Sequence, residues 1–285
     1  MDVLREVLSV DLGSAVVDMT RLGGGDMAEA FAVDLADGRR VFAKTHRAPP
    51  EGFFSREGVD LRWLGDAHAL AVPQVLAVSD ESPARLVLEW ISPGLRGASD
   101  EASFGRGLAS LHKCGAEVFG RTDARTTGSQ ALPNDRCATW IEFFSERRLR
   151  PLARLAADRS ALSGRTIAGL EDVADRLEDL GGPAEPPARL HGDLWAGNRM
   201  VDERGASWLI DPAAHGGHRE FDLAMMRLFG GFADAAFAAY DEAYPLADGW
   251  EDRIGLHQLA PLVVHAIKFG GGYAAAVDDA LRRLR

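Results

Sequence analysis

Along the first ninety residues, apolar positions fall in short runs separated by turn residues, the pattern of strands rather than long helices. Ser14–Met19 leads into Leu22-Gly23-Gly24-Gly25-Asp26, and Ala30–Val33 follows. Asp37-Gly38 is a hairpin turn signal, and Arg40–Lys44 then makes a third strand. The period changes over Ser55–Leu64, where Val59, Trp63 and their neighbours mark the apolar side of a helix, and Val72-Pro73 closes the segment. Val75–Val78 and Arg85–Glu89 predict two more strands.

Beyond this the pattern is largely helical. Phe104–Lys113, Trp140–Leu149 and Ile167–Leu180 carry helical apolar spacing, and the run from Gly181 to Pro187 breaks the last of them. Short strands at Arg199–Val201 and Trp208–Ile210 flank the turn Asp202–Gly205, and helix resumes from Phe221. The shift at Ile91-Ser92-Pro93-Gly94 divides the chain into an N-lobe, residues 1–91, and a C-lobe, residues 92–285. The expected class is α+β, with a small antiparallel sheet in the first lobe and a mainly helical second lobe.

Composition narrows the function. A net charge of −11 opposes nucleic-acid binding, which needs a basic footprint. The N-terminus lacks a basic region followed by an apolar run, and no window reaches the length of a membrane span, so a cytoplasmic protein with no membrane partner is expected. Two cysteines, Cys114 and Cys137, are too few for a disulfide framework and read as packing thiols. Nothing in the pattern fixes an oligomeric state.

The chemistry concentrates in Leu190–Asn198, LHGDLWAGN, where His, Asp and Asn interrupt an apolar segment. Asp193 and Asn198 are five apart and Asp211 follows thirteen later. That order matches the catalytic loop H-R-D-x-x-x-x-N of kinases, in which the Asp handles the acceptor hydroxyl's proton, while the Asn and a later Asp hold Mg²⁺. Hard carboxylate and amide oxygens suit that ion. Leu194 and Trp195 are expected to anchor the loop, and His191 to orient it. Upstream, Gly23, Gly24 and Gly25 would allow close backbone approach to phosphate, or simply form a hairpin turn. Lys44 on a strand and Glu57 on the next helix read either as two solvated charges or as the ion pair that aims an ammonium at the ATP phosphates. Asp222 follows Asp211 by eleven residues, and the interval holds no Ser, Thr or Tyr, which favours a small-molecule acceptor over a protein one. Asp222 is expected to brace the catalytic loop by accepting backbone N–H bonds. His215 and His218 have H-x-x-H spacing without a third ligand nearby, and no zinc site is expected.

These residues resemble the fructosamine kinases, or ketosamine-3-kinases, relatives of aminoglycoside and choline kinases. The likeness rests on HGDLWAGN, Asp211-Pro212-Ala213, Gly217-His218-Arg219-Glu220-Phe221-Asp222-Leu223-Ala224-Met225 and Leu228-Phe229-Gly230-Gly231-Phe232. It extends upstream to Leu108–His112, Phe119-Gly120 and Trp140–Phe144, and downstream to Tyr240, Tyr244-Pro245-Leu246 and Phe269-Gly270. The resemblance implies a two-lobed protein-kinase-like fold and ATP-dependent, Mg²⁺-assisted phosphorylation of the 3-hydroxyl of a ketosamine, the adduct of glucose or ribose with an amine. It makes Asp193 the base, Asn198 and Asp211 the Mg²⁺ ligands, Lys44 a phosphate contact held by Glu57, and Glu89, Trp90 and Ile91 the adenine hinge. It makes His218, Arg219 and Glu220 candidates for shaping the sugar site, with a structural salt bridge of Arg219 as the alternative. Two departures stand out: Asp26, where some relatives carry cysteine, and Arg121–Gly128, which differs from the family's usual sequence. The rival readings are an aminoglycoside- or choline-type amino-alcohol kinase, separable by a substrate panel, and a nucleotide-binding pseudokinase, which would bind ATP without turnover.

Overall fold

A computed structural model describes residues 2–23, 28–94, 100–121 and 132–284. Gly24, Gly25 and Asp26, and all of the divergent Arg121–Gly128 segment except Arg121, lie outside the described residues. The chain forms two compact units. Among described residues, the first holds 2–23, 28–94 and Arg199–Pro212, and the second holds 100–121, 132–198 and 213–284. The segment 199–212, placed in the C-lobe by the sequence pattern, packs with the first unit.

The first unit is a five-stranded antiparallel sheet: β1 (Val16–Leu22), β2 (Glu29–Leu35), β3 (Arg40–His46), β4 (Val75–Ser79) and β5 (Ala84–Glu89), in spatial order β1-β2-β3-β5-β4. Side chains alternate across a strand, so the sheet feeds two cores. Phe31, Val33, Leu35, Val41, Ala43 and Val87 gather on one face with Leu4, Leu8 and Leu12 of helix α1 (Asp2–Leu12). Leu86 and Leu88 pack on the other with Phe54 and Leu61 of α2 (Phe53–Gly65).

Helix α1 is absent from the strand-dominated sequence reading, although its leucines recur at the four-residue spacing of one helical face. Helix α2 also turns a different side inward from the one expected. Phe54, Leu61 and Leu64 are buried, whereas Val59 is 39% exposed. Residues 199–212 contribute the hairpin β7 (Arg199–Val201) and β8 (Ser207–Leu209), whose open end pairs Arg199 with Leu209. It is tied to the sheet unit through Gly94 N–H to Val201 O (2.8 Å) and Leu209 N–H to Ala71 O (2.9 Å).

The second unit is helical. Helix α3 (Glu101–Lys113) starts at Asp100, whose carboxylate accepts the Ser103 N–H at 2.9 Å, an N-cap that satisfies a terminal donor. It lies against α9 (Asp234–Ala243) so closely that a Cβ on Gly105 would overlap Ala236 O. The expected Trp140–Leu149 helix is α4 (Trp140–Phe144) followed by one π turn, Ser145–Leu149, that runs on into α5 (Arg150–Asp158). Within that turn Arg148 points inward to Pro133 O (2.6 Å) and Asn134 Oδ1 (3.0 Å). The expected Ile167–Leu180 helix is α6 (Gly164–Asp175) and α7 (Leu177–Leu180), interrupted at Arg176.

Helices α8 (Glu220–Phe229), α10 (Trp250–Phe269) and α11 (Gly272–Arg283) complete the unit. Its core joins Trp140, Phe143, Phe144, Leu190, Phe221 and Leu259. A short ladder pairs β6 (Ala188–Leu190) with β9 (His215–Gly217) and brackets the LHGDLWAGN segment. Among the described residues, no helix is long and apolar enough to cross a membrane.

Candidate active site

In the first unit the strand register decides where Lys44 points. Lys44 lies opposite Leu86, which packs under α2, so its side chain is on the α2 face. Glu57 shares the helical stripe of Phe54 and Leu61, three residues after one and four before the other. The two side chains therefore meet: Lys44 Nζ donates to Glu57 Oε1 at 2.7 Å, and also bonds Asp211 Oδ1. Lys44 and Glu57 are not separate solvated charges. Burial opposes the ammonium, but Glu57 and Asp211 outweigh it and hold the Lys44 pKa above the ordinary lysine range. Burial pushes the Glu57 carboxyl up, and the Lys44 charge opposes that shift. Asp211 adopts φ 53°, left-handed backbone that is uncommon outside glycine.

Gly23 sits in a bend with nothing within 4 Å of where a Cβ would lie. Glu89, in the expected hinge, pairs with Gln74 through its N–H (to Gln74 O, 3.0 Å) and its carboxylate (from Gln74 N–H, 2.9 Å). Trp90 lies under Arg40, 4.6 Å from its ring centroid, and Ile91 is buried.

In the second unit LHGDLWAGN is a compact loop that ends in a single 3₁₀ turn, Ala196–Asn198. Asn198 is buried, and its amide nitrogen donates to Asp193 twice, at the backbone oxygen (2.9 Å) and at Oδ2 (3.0 Å). The five-residue spacing thus closes one turn with Asp193 and Asn198 side by side. Both glycines of the loop have a reason. Gly192 has φ 80°, and a Cβ there would overlap Ala213 O. Gly197 lies beneath the Trp195 indole, where a Cβ would collide with the ring. Leu194 is fully buried and anchors the loop as expected, but Trp195 does not: it is 41% exposed, resting edge-on against Phe229.

The loop is held from below by Asp222, which is wholly buried. Its carboxylate accepts His191 N–H at 2.7 Å and Gly192 N–H at 2.9 Å, and His112 Nε2 lies 3.3 Å away. Facing a carboxylate, His112 Nε2 donates, so Nδ1 accepts from the Tyr240 hydroxyl at 2.7 Å. Burial pushes the Asp222 carboxyl up, but His112, His191 and the Gly192 amide outweigh it and leave its pKa below the usual aspartate value. His191, also fully buried, accepts Asp193 N–H on Nδ1 at 3.2 Å. The bracing roles of His112 and Tyr240 are absent from the sequence reading, although both lie in segments quoted there for family likeness.

His218, Arg219 and Glu220 are buried at the start of α8 and engage protein partners. Arg219 forks onto Glu185 at 2.7 and 2.8 Å, donates to Tyr244 O and Pro245 O, and stacks 3.8 Å over the Tyr244 ring. Glu220 receives Arg253 at 2.6 and 2.9 Å and His257 Nε2 at 3.2 Å. Burial opposes its charge, but His257 and Arg253 prevail and pull its pKa down to about 2. Burial drives His218 down to about 4 and His215 down to about 3, so both rings are neutral near pH 7. One ligand atom each from His218, Glu220 and His257 fall within 4.8 Å of one another. Both Glu220 oxygens are committed to the Arg253 guanidinium, which makes this an ion-pair network rather than a cation site.

The fold is protein-kinase-like: a solved aminoglycoside phosphotransferase superposes with TM-score 0.63 at 16% identity, covering 98% of each chain. A sequence profile of the fructosamine kinase family matches residues 2–285, and the chain belongs to that family. Membership makes it an ATP-dependent phosphotransferase. A solved Thermobifida fusca protein assigned as a fructosamine-3-kinase is 40% identical, with TM-score 0.92, covering 100% of this chain and 99% of its own. An Enterococcus faecium protein assigned as a ketoamine kinase is 32% identical over 99% of both chains. The chloroplastic protein-ribulosamine 3-kinase of Arabidopsis thaliana is 30% identical, covering 100% of this chain and 89% of its own.

Proposed function

We propose that this enzyme transfers the γ-phosphoryl group of ATP to the 3-hydroxyl of a ketosamine, a fructosamine or ribulosamine adduct of an amine. The observation that carries the reading is Lys44 bonded at once to Glu57 and Asp211. Phosphoryl transfer depends on placing positive charge at the phosphates, and a lysine held by one buried carboxylate and one exposed carboxylate supplies it in a fixed direction. Asp193 takes the proton of the acceptor hydroxyl as its oxygen bonds the γ-phosphorus. The bond from that phosphorus to the β–γ bridging oxygen breaks, and ADP leaves.

Asn198 and Asp211 carry hard oxygens of the kind Mg²⁺ prefers, and they flank the open end of the β7–β8 hairpin in the chain. The ion, when bound, would neutralise phosphate charge. Gly23, with Gly24 and Gly25, would approach the phosphates through backbone, and Glu89–Ile91 would receive the adenine. His191 and Asp222 hold the loop. His218, buried and neutral, and Arg219 and Glu220, buried in ion pairs, act on the sugar site by fixing the start of α8 rather than by touching the sugar.

The test is ADP release by the wild type and Asp193→Ala, with fructosyl-lysine, ribulosyl-lysine, kanamycin and choline offered separately. The expected result is ketosamine-dependent turnover that falls at least ~10²-fold in the variant, the scale of a lost general base. Turnover only with kanamycin or choline would keep the phosphotransferase chemistry and overturn the acceptor. Turnover with none of the four would overturn the reading.

A further inference from the structure

Helices α8 and α10 end alike, in Phe229-Gly230-Gly231 and Phe269-Gly270-Gly271. All four glycines have positive φ, which side chains rarely adopt, so the chain leaves each helix on bare backbone. At Gly230, Gly270, Gly271 and Gly272 a Cβ would meet nothing within 4 Å among the described residues. The two phenylalanines are correspondingly uncovered, at 38% and 55% exposure.

They also connect. Trp195 meets Phe229 at 6.2 Å between centroids, Phe229 meets His265 at 4.9 Å, and His265 meets Phe269 at 5.6 Å and Tyr273 at 5.0 Å. These steps lie within the range of favourable ring pairing. The second end of the strip is fixed to the candidate catalytic loop: Trp195 is two residues from Asp193, and a Cβ on Gly231 would press on Ala196. An aromatic strip therefore runs outward from the loop that carries the proposed base.

We propose that this strip binds the amine carrier of the ketosamine and selects carriers with an aromatic or long apolar group. The inference rests on the proposed function, which fixes the sugar end of the substrate at Asp193 and leaves the carrier to extend away from it. The largest apolar patch of an ordinary monomer, a few hundred Å², is often functional. The area favours a small occupant. Three rings of about 150–250 Å² each, roughly half exposed, offer on the order of 300 Å², whereas a stable dimer needs about 800 Å² from each partner.

The experiment compares ribulosamine adducts of methylamine and phenethylamine as substrates for the wild type, Phe269→Ala and Phe269→Tyr. Val10→Ser, at an exposed apolar position on α1, serves as control. In the wild type, kcat/KM favours the phenethylamine adduct, chiefly through KM. Phe269→Ala reduces that preference about tenfold, the upper end for one aromatic pair. Phe269→Tyr restores it, and Val10→Ser leaves it unchanged. An unaltered preference in Phe269→Ala overturns the proposal. So does sedimentation showing that the wild type self-associates and Phe269→Ala does not, because the strip would then be covered by a second copy. If the wild type phosphorylates neither adduct, the proposed function fails, and calorimetric binding of the same adducts still decides the strip. Tighter phenethylamine-adduct binding that Phe269→Ala abolishes supports it, and equal binding of both adducts refutes it.

Discussion

Asp222→Asn replaces one oxygen of the carboxylate that supports the candidate catalytic loop, and the geometry sets what is lost. Three donors converge on Asp222: His191 N–H at 2.7 Å, Gly192 N–H at 2.9 Å and His112 Nε2 at 3.3 Å. An amide keeps one acceptor oxygen and turns an NH₂ group towards at least one of these donors. One or two buried N–H groups then lose their acceptor, at about 1–3 kcal/mol each, so the expected loss is about 2–4 kcal/mol of stability. That is within the ~5–15 kcal/mol typical of a folded domain, and the variant should remain folded. Because His191 and Gly192 precede Asp193 directly, the surviving loop is displaced. A shift on the order of 1 Å costs up to about 10²-fold in turnover.

The nucleotide side should change little, since Asp222 bonds His112, His191 and Gly192, all within the second unit. The assay is urea unfolding together with kcat and KM for ATP: kcat falls at least ~10-fold, KM for ATP stays within about twofold, and the unfolding midpoint drops. The pH dependence adds a sign. The folded pKa of Asp222 lies below its ordinary value of 3.8, so the ionised carboxylate stabilises the fold above that value. That stabilisation disappears as pH falls through the folded pKa. The stability gap between wild type and Asp222→Asn should therefore narrow below about pH 4. An unchanged midpoint with kcat within twofold would refute the view that this carboxylate holds the loop.

Two further predictions follow from the same part of the molecule. His218 and His215 are neutral in the fold, with pKa values of about 4 and about 3 against an ordinary 6.5, so the unfolded chain takes up protons first as pH falls. Stability should decline from pH 6.5 downward by up to about 1.4 kcal/mol per pH unit for each ring. His218→Phe should flatten that slope between pH 6.5 and 4.5, and an identical slope in chemical denaturation would show that the ring is not neutral in the fold. Gly192→Ala places a Cβ at φ 80° against Ala213 O. It should cost at least ~1–2 kcal/mol and lower ADP release with no change in the Lys44–Glu57 side; a thermal melt unchanged from wild type would contradict it.

The candidate site residues were picked out in the sequence because their spacing is local. Asp193 and Asn198 fall on one turn, and Lys44 and Glu57 lie on adjacent elements whose periodicity is plain. The five strands of the first unit followed from short apolar runs and the Asp37-Gly38 turn, whereas their order in the sheet did not. Helix α1 was missed despite Leu4, Leu8 and Leu12, because Val3, Val7 and Val10 between them blur the stripe. Strands β6 and β9 have three residues each, and β9 is His-Gly-Gly, which has no strand propensity of its own. Gly216 is there because a Cβ would strike Val118 O, a constraint visible only after folding. Trp195 was misplaced by equating a large apolar ring with burial. Its ring is instead accommodated by Gly197 and exposed at the surface.

Asp222 and His191 were expected to support the loop, but His112 and Tyr240 were illegible for a different reason, which bears on how such a site is built. Asp222 reaches His191 across 31 positions, His112 reaches Asp222 across 110, and His112 reaches Tyr240 across 128. No periodicity links residues so far apart, and singly His112 and Tyr240 read as ordinary core positions. Their polar atoms are nonetheless buried, where an unpaired donor is costly. Each member therefore requires the next: the loop amides require Asp222, the buried carboxylate requires His112 as donor, and the remaining ring nitrogen requires the Tyr240 hydroxyl. The same demand organises the Arg219–Glu185 and Glu220–Arg253 pairs at the start of α8, the helix that carries Asp222. A loop proposed to present Asp193 to substrate cannot be fixed by apolar packing on both sides. Leu194 supplies packing on one side, and this buried chain of hydrogen bonds supplies the rest.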